Sequence, residues 1–154
     1  MKKLIIFSAL FTLLLGGCKD KAELEPALSK IEGIHDTWVL KEVLQVDPTN
    51  KEEAFDISYV FTESVTPIEL TINSTDFTYL FNQADPIYMG TTGTWKFDDD
   101  LFPTAIQLNP TSTIQNLNLL RTIRTADQTL EFQLDRFCAD NKITTSYQFK
   151  FERK

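Results

Sequence analysis

Residues 145–152 read Thr-Ser-Tyr-Gln-Phe-Lys-Phe-Glu, an alternation that puts Tyr147, Phe149 and Phe151 on one side of an extended chain and polar groups on the other. Successive side chains of a strand point to opposite faces, so this period of two predicts a strand with one buried face. The same alternation recurs at 68–72, 77–81 and 130–134. Apolar runs bounded by turn-forming residues add strands at 38–46, 57–61, 94–97, 105–108 and 117–123, nine in all. Asp47-Pro48-Thr49-Asn50, Asn73-Ser74, Asp85-Pro86, Asp98-Asp99-Asp100 and Asn109-Pro110-Thr111-Ser112 mark the turns. Helical spacing is scarce, confined to brief turns expected at 26–34 and at 49–54, the latter capped by Asn50.

Eight to ten short antiparallel strands, each with one apolar face, must close into a barrel or stack as two sheets. The short connections suit a meander and predict a single up-and-down β-barrel over residues 31–154. The alternative, a β-sandwich, needs longer crossovers. The side chains expected to form the barrel core or line a ligand are Trp38, Tyr59, Phe61, Phe77, Phe81, Trp95, Phe97, Phe132, Tyr147 and Phe149. Segment 82–92 is longer than a hairpin turn. It is a candidate flap over one barrel mouth, with Ile87, Tyr88 and Met89 as its apolar side, or else a loop packed on its own core.

Residues 1–17 have the build of a signal peptide. Lys2 and Lys3 precede an apolar run at 4–15, and Gly16 and Gly17 stand directly before Cys18. As a helix the run would extend only about 18 Å, short of the roughly 30 Å hydrocarbon core. The pattern resembles the bacterial lipobox, which implies cleavage before Cys18, lipidation of its thiol and a palmitate-type acylated terminus. Residues 18–30 then form the lipidated cysteine and a charged tether, Lys19-Asp20-Lys21-Ala22-Glu23-Leu24-Glu25-Pro26, with too little apolar content to fold alone. Lysine and acidic residues at that place resemble an export signal of outer-membrane lipoproteins. The expected location is the outer membrane, lipid-anchored, facing the periplasm or the cell surface.

Once the leader is removed, 13 Lys+Arg (15 minus Lys2 and Lys3) face 22 Asp+Glu, a net charge of −9. Nucleic-acid affinity comes mostly from cations that displace phosphate counterions, so this balance argues against such a partner. Arg121 and Arg124, three apart in the expected strand at 117–123, would point to opposite faces. With Cys18 acylated, Cys138 is an odd thiol, expected to pack as a small buried residue.

No catalytic constellation emerges. His35 is the one imidazole in the chain and no Gly-x-Ser-x-Gly turn is present, so a Ser-His-Asp arrangement has no support. Two cysteines and one histidine leave no cluster at metal-ligand spacing. Glu131 and Asp135 share a strand face about 13 Å apart, beyond the separation of a glycosidase pair, and that face turns away from the core. Asp98-Asp99-Asp100 lacks the alternation of a calcium loop and reads as a solvated turn. Neither enzyme chemistry, a metal nor a cofactor is expected.

Gly93-Thr94-Trp95-Lys96-Phe97-Asp98-Asp99 with Phe102-Pro103-Thr104-Ala105-Ile106, Trp38-Val39-Leu40-Lys41-Glu42-Val43 near the start and Tyr147-Gln148-Phe149-Lys150-Phe151 at the end resemble lipocalin-like lipoproteins of Bacteroidota, grouped mainly as domains of unknown function. The resemblance implies a small antiparallel barrel and implies little about chemistry. Trp38 and Trp95 are expected to plug barrel ends, each near a glycine that lets the backbone bend close. Two functions fit such a domain. One is a binding module holding a small apolar or amphipathic ligand in the barrel; the other is a fully packed barrel docking onto another envelope component.

Overall fold

A computed structural model of the chain describes residues 29–50, 53–62, 66–84, 87, 89–110 and 113–154. The leader, Cys18, most of the tether and Tyr88 lie outside the described residues. The described chain is an antiparallel barrel of eight strands with one extra strand beside it. In order the elements are α1 (Lys30–Ile34), β1 (Asp36–Val46), β2 (Ala54–Asp56), α2 (Ser58–Thr62), β3 (Glu69–Asn73), β4 (Thr78–Phe81), β5 (Thr92–Phe97), β6 (Ala105–Pro110), β7 (Gln115–Leu119), β8 (Thr129–Phe137) and β9 (Ile143–Arg153).

From β3 to β9 each strand pairs with the next, the up-and-down arrangement. The ring closes where β1 meets β9, from Trp38 opposite Arg153 to Val46 opposite Ser146, with a bulge between Leu40 and Glu42. Closure leaves no second sheet, so the sandwich alternative is excluded. The other edge of β1 is shared. Residues 36–39 pair with β3 and residues 44–46 pair with β2. Between these stretches the wall parts, and α2 fills the gap: Ile57 N–H donates to Val43 O at 2.9 Å and Val43 N–H donates to Ser58 Oγ at 2.9 Å.

Inward positions follow the period of two along each wall, as in Leu130, Phe132 and Leu134 of β8 or Trp95 and Phe97 of β5. The aromatic rings meet in pairs. Phe132 lies 5.5 Å from Phe149 and 5.4 Å from Phe151, and Trp95 meets Phe97 edge-on at 5.2 Å. Such contacts add to the area each ring removes from water. Gly93 lets β5 and β6 close on each other, since a Cβ there would stand 2.3 Å from Asn109 O.

One end of the barrel is sealed. α1, capped reciprocally by Ser29 and Glu32, lies across it and buries Gly33 and Ile34. Trp38 Nε1 donates to Ile34 O at 2.9 Å, and the Arg153 guanidinium stacks 4.8 Å from the Trp38 ring while donating to Gly33 O at 3.0 Å. Lys30 Nζ reaches Ile123 O at 2.7 Å and ties the helix to the β7–β8 loop. A Cβ on Gly33 would come within 3.1 Å of the Ile123 side chain, so a larger residue there would push α1 or Ile123 aside by a few tenths of an ångström.

Several expectations need correction. Of the strand expected at 57–61, residues 58–61 belong to α2 and Ile57 directly precedes it, because Asp56 accepts the Ser58 N–H at 2.8 Å and turns the chain there. The Ser58 hydroxyl and amide also hold the Asp56 carboxyl below its ordinary range. Residue 77 belongs to the turn before β4, at φ 56°, which takes Phe77 out of the strand alternation. β7 ends at Leu119, so Arg121 and Arg124 lie beyond it; Arg121 bridges Glu131 at 3.3 Å. The helical turn expected at 49–54 gives way at its end to β2, and residues 51 and 52 lie outside the described residues.

In the β5–β6 loop the Asp98 carboxylate accepts the Thr104 hydroxyl at 2.5 Å and the Thr104 and Ala105 amides at 2.9 Å. The Thr104 hydroxyl, followed by the Ala105 amide, lowers its pKa to about 2. With the folded value depressed, this stabilisation is present above the unfolded carboxyl's range and is lost as pH falls through about 2. An NMR titration should place Asp98 there; a midpoint near 3.8 would contradict the hydrogen-bond pattern. In the core, Phe132→Ala should cost about 3–5 kcal/mol in denaturant unfolding. A loss under about 1 kcal/mol would show that the three-ring cluster is not close-packed.

Candidate ligand-binding site

The end opposite Trp38 is open. There the walls differ in height, because β8, β9 and the second half of β1 run past the short β3, β4 and β5. Two segments complete the low side. α2 is one, and the described residues of the 82–91 connection are the other, with Ile87 and Met89 both buried. The Tyr79 hydroxyl donates to Met89 O at 2.8 Å and Phe81 N–H donates to Thr91 O at 2.8 Å, so the connection is fastened to the barrel.

Between these parts lies a cavity of about 660 Å³. Its apolar surface comes from Ile57, Val60, Phe61, Ile87, Leu134 and Phe149, and its polar surface from Gln45, Thr113, Gln115, Arg136 and the Tyr147 side chain. Helical spacing explains the contribution of α2 and the residue before it: Ile57, whose carbonyl accepts the Val60 N–H, stands with Val60 and Phe61 at i, i+3 and i+4, so the three share one face. Among the described residues, Arg136 is the single formally charged side chain of the lining. Its place follows from β8, where the inward positions 130, 132 and 134 extend one step further to 136. The volume falls within the roughly 300–1,000 Å³ of small-molecule pockets.

Of the expected core and lining residues, Phe61, Tyr147 and Phe149 meet at this cavity. Trp38, Phe81, Trp95, Phe97 and Phe132 are buried in the barrel away from its lining. Tyr59 and Phe77 depart from expectation. Tyr59 is 60% exposed on the outer side of α2, and Phe77 is 42% exposed with its ring 5.5 Å from Trp95. Trp95 itself is held by its Nε1 donating to Asn73 O at 3.1 Å. Of the candidate flap, Ile87 lines the cavity and Met89 packs into the core; Tyr88 lies outside the described residues.

The polar lining was not foreseen. Gln45, Gln115 and Arg136 sit at strand ends where the apolar runs stop, so an eye for hydrophobic alternation passes over them. Carrying the inward parity one step beyond Leu117 and Leu134 reaches Gln115 and Arg136, whereas Gln45 turns inward only because the bulge between Leu40 and Glu42 shifts the parity of β1. Exposed apolar side chains also ring the mouth: Phe55 of β2, Val60 of α2, Ile114 before β7, and the paired Phe137 and Ile143 of β8 and β9.

His35 accepts the Ser74 N–H through Nδ1 at 3.0 Å at the sealed end. Asp135, on the outer wall, accepts the Ser146 hydroxyl at 2.6 Å and the Gln133 amide at 2.7 Å. Among the described residues no three His, Cys, Asp or Glu side chains converge as metal ligands. No protein-family model matches the chain, and no curated protein matches it.

Cys138 is exposed, against the expectation that it packs inside. It opens the β8–β9 turn at the mouth, where Cys138 N–H donates to Lys142 O at 2.9 Å and Asn141 adopts φ 61°. The turn carries it out of the strand's inward series. In a Cys18→Ser chain, Cys138 should react with a thiol reagent as fast in the folded protein as in denaturant. Protection that lifts only on unfolding would contradict this placement.

Proposed function

We propose that this chain is a lipid-anchored, non-catalytic protein of the cell envelope that binds one small amphipathic molecule at the mouth of its barrel. The cavity carries the reading. A space of about 660 Å³ with an apolar floor and a few polar groups suits a ligand with a hydrocarbon body and one polar end. Leu134, Phe149, Phe61 and Ile87 would receive the body. Arg136, with Gln45 and Gln115, would receive the head, and its positive charge favours a carboxylate or another anion over a neutral group. The alternative, a barrel packed solid that docks onto another envelope component, requires an interior without such a space.

The anchor rests on the sequence. Lys2, Lys3, the apolar run and Gly16-Gly17-Cys18 support cleavage and acylation at Cys18, and two or more acyl chains hold a protein firmly to a bilayer. An outer-membrane location, facing the periplasm or the cell surface, follows from the charged residues after Cys18.

Binding is tested with an environment-sensitive fluorescent fatty acid and with unlabelled fatty acids and alcohols as competitors. The proposal expects saturable binding and displacement by a fatty acid. Arg136→Gln should weaken the fatty acid roughly tenfold or more and leave the alcohol of equal length nearly unchanged. Absence of saturable binding at any accessible concentration would overturn the proposal. The anchor is tested by metabolic labelling with a palmitate analogue, which should mark the wild-type chain; label retained by Cys18→Ala would refute it.

A further inference from the structure

The sealed end carries a feature that ligand binding leaves unexplained. Leu101 and Phe102, at the tip of the β5–β6 loop, are 74% and 79% exposed, the most exposed large apolar side chains among the described residues. They are not loosely held. Asp99 Oδ1 accepts the N–H of Leu101 and of Phe102, each at 2.8 Å, and Asp98 clamps Thr104 and Ala105 behind them. Leu120 is 42% exposed at the neighbouring end of β7, where Leu119 N–H donates to Thr104 O at 2.8 Å. A loop whose backbone is held by these hydrogen bonds and that presents two large apolar side chains to water offers them for burial against another surface.

The position of the chain's beginning identifies the occupant. α1 lies at the same end of the barrel as this loop, and Ser29 caps it. Ten residues lie between Cys18 and Ser29, eleven Cα–Cα steps. Such a stretch reaches about 40 Å when fully extended and about 18 Å as a flexible coil. The barrel stands roughly 27 Å tall, from eleven-residue strands at about 3.3 Å per residue and a tilt near 40°. An acylated Cys18 therefore draws the sealed end toward its bilayer, whereas bringing the mouth there would stretch the tether along the barrel wall to about 27 Å, well past its coil length of about 18 Å.

We propose that the sealed end docks on the bilayer holding Cys18, with Leu101 and Phe102 seated in the lipid interface and the mouth directed away. This inference rests on the lipid-anchor reading. Asp98, Asp99 and Asp100 beside the tip favour a zwitterionic over an anionic lipid surface. The orientation leaves the cavity free to exchange its ligand with the aqueous side or with a partner there.

The test uses the full acylated chain in phosphatidylcholine vesicles. A polarity-sensitive fluorophore is placed on native Cys138 to report the mouth, or on Asp100→Cys in a Cys138→Ser background to report the loop. Spin-labelled phosphatidylcholine should quench the probe at position 100 and leave the probe at 138 bright. Leu101→Ser with Phe102→Ser should abolish that quenching while the protein stays bound to the vesicles. Quenching at 138 without quenching at 100 would place the mouth on the lipid and overturn the proposal. So would a probe at 100 that lipid leaves bright but that is shielded from aqueous iodide in native membranes, because a protein would then cover the loop. A mass spectrum of the N-terminus separates the two claims. An unacylated Cys18 defeats the anchor and the docking with it, whereas an acylated chain with an unquenched loop defeats the docking alone.

Discussion

The pairing of β1 with β9 is the constraint on which the other features depend, because it joins the first and last strands of the meander and leaves the barrel without a long open edge. An unpaired strand edge invites association with other chains, and eight strands closed on themselves remove that hazard. Closure also fixes which side chains turn inward. The bulge between Leu40 and Glu42 keeps Leu40 and Val43 both inside while the ladder continues on either side of it. A one-residue slip in that seam would send Phe149 and Phe151 outward and empty the core.

The same seam makes the two ends unequal. At one end Trp38 and Arg153 face each other across it, and α1 lies over them, fastened by Trp38 Nε1 and by the Arg153 guanidinium to the carbonyls of Ile34 and Gly33. At the other end β8, β9 and the second half of β1 outrun β3, β4 and β5. The wall is then finished by α2 and by the fastened 82–91 connection instead of by strands. Space survives where these irregular pieces meet the regular wall. Closure of one end and incompleteness of the other are thus two consequences of long strands on one side of the barrel and short strands on the other.

The sequence made most of this wall legible, because a strand buried on one face writes its period of two directly into the residue order, as in β8 and β9. It was less informative where a residue satisfies two periods at once. Ile57, Tyr59 and Phe61 alternate like a strand, yet Ile57, Val60 and Phe61 also share a helical face, and the Asp56–Ser58 turn decides between them. Phe77 and Cys138 sit at turns where the chain leaves the alternation, beside positive φ at Phe77 and Asn141, a backbone feature that hydrophobicity does not encode. The cavity was hidden for a different reason. Gln45, Gln115 and Arg136 are inward-facing polar residues, and only the uneven strand heights turn them toward a cavity instead of solvent.

The central claim is that the barrel is solid at Trp38 and hollow at Phe149, with the hollow serving an amphipathic ligand. Titrating the isotope-labelled protein with a medium-chain fatty acid and following amide and side-chain NMR shifts tests it most directly. Shifts that saturate together and cluster at Ile57, Phe61, Leu134, Arg136, Tyr147 and Phe149, with Trp38 and Trp95 unmoved, are the predicted result. Shifts centred on the tryptophans, or none that saturate, would contradict it.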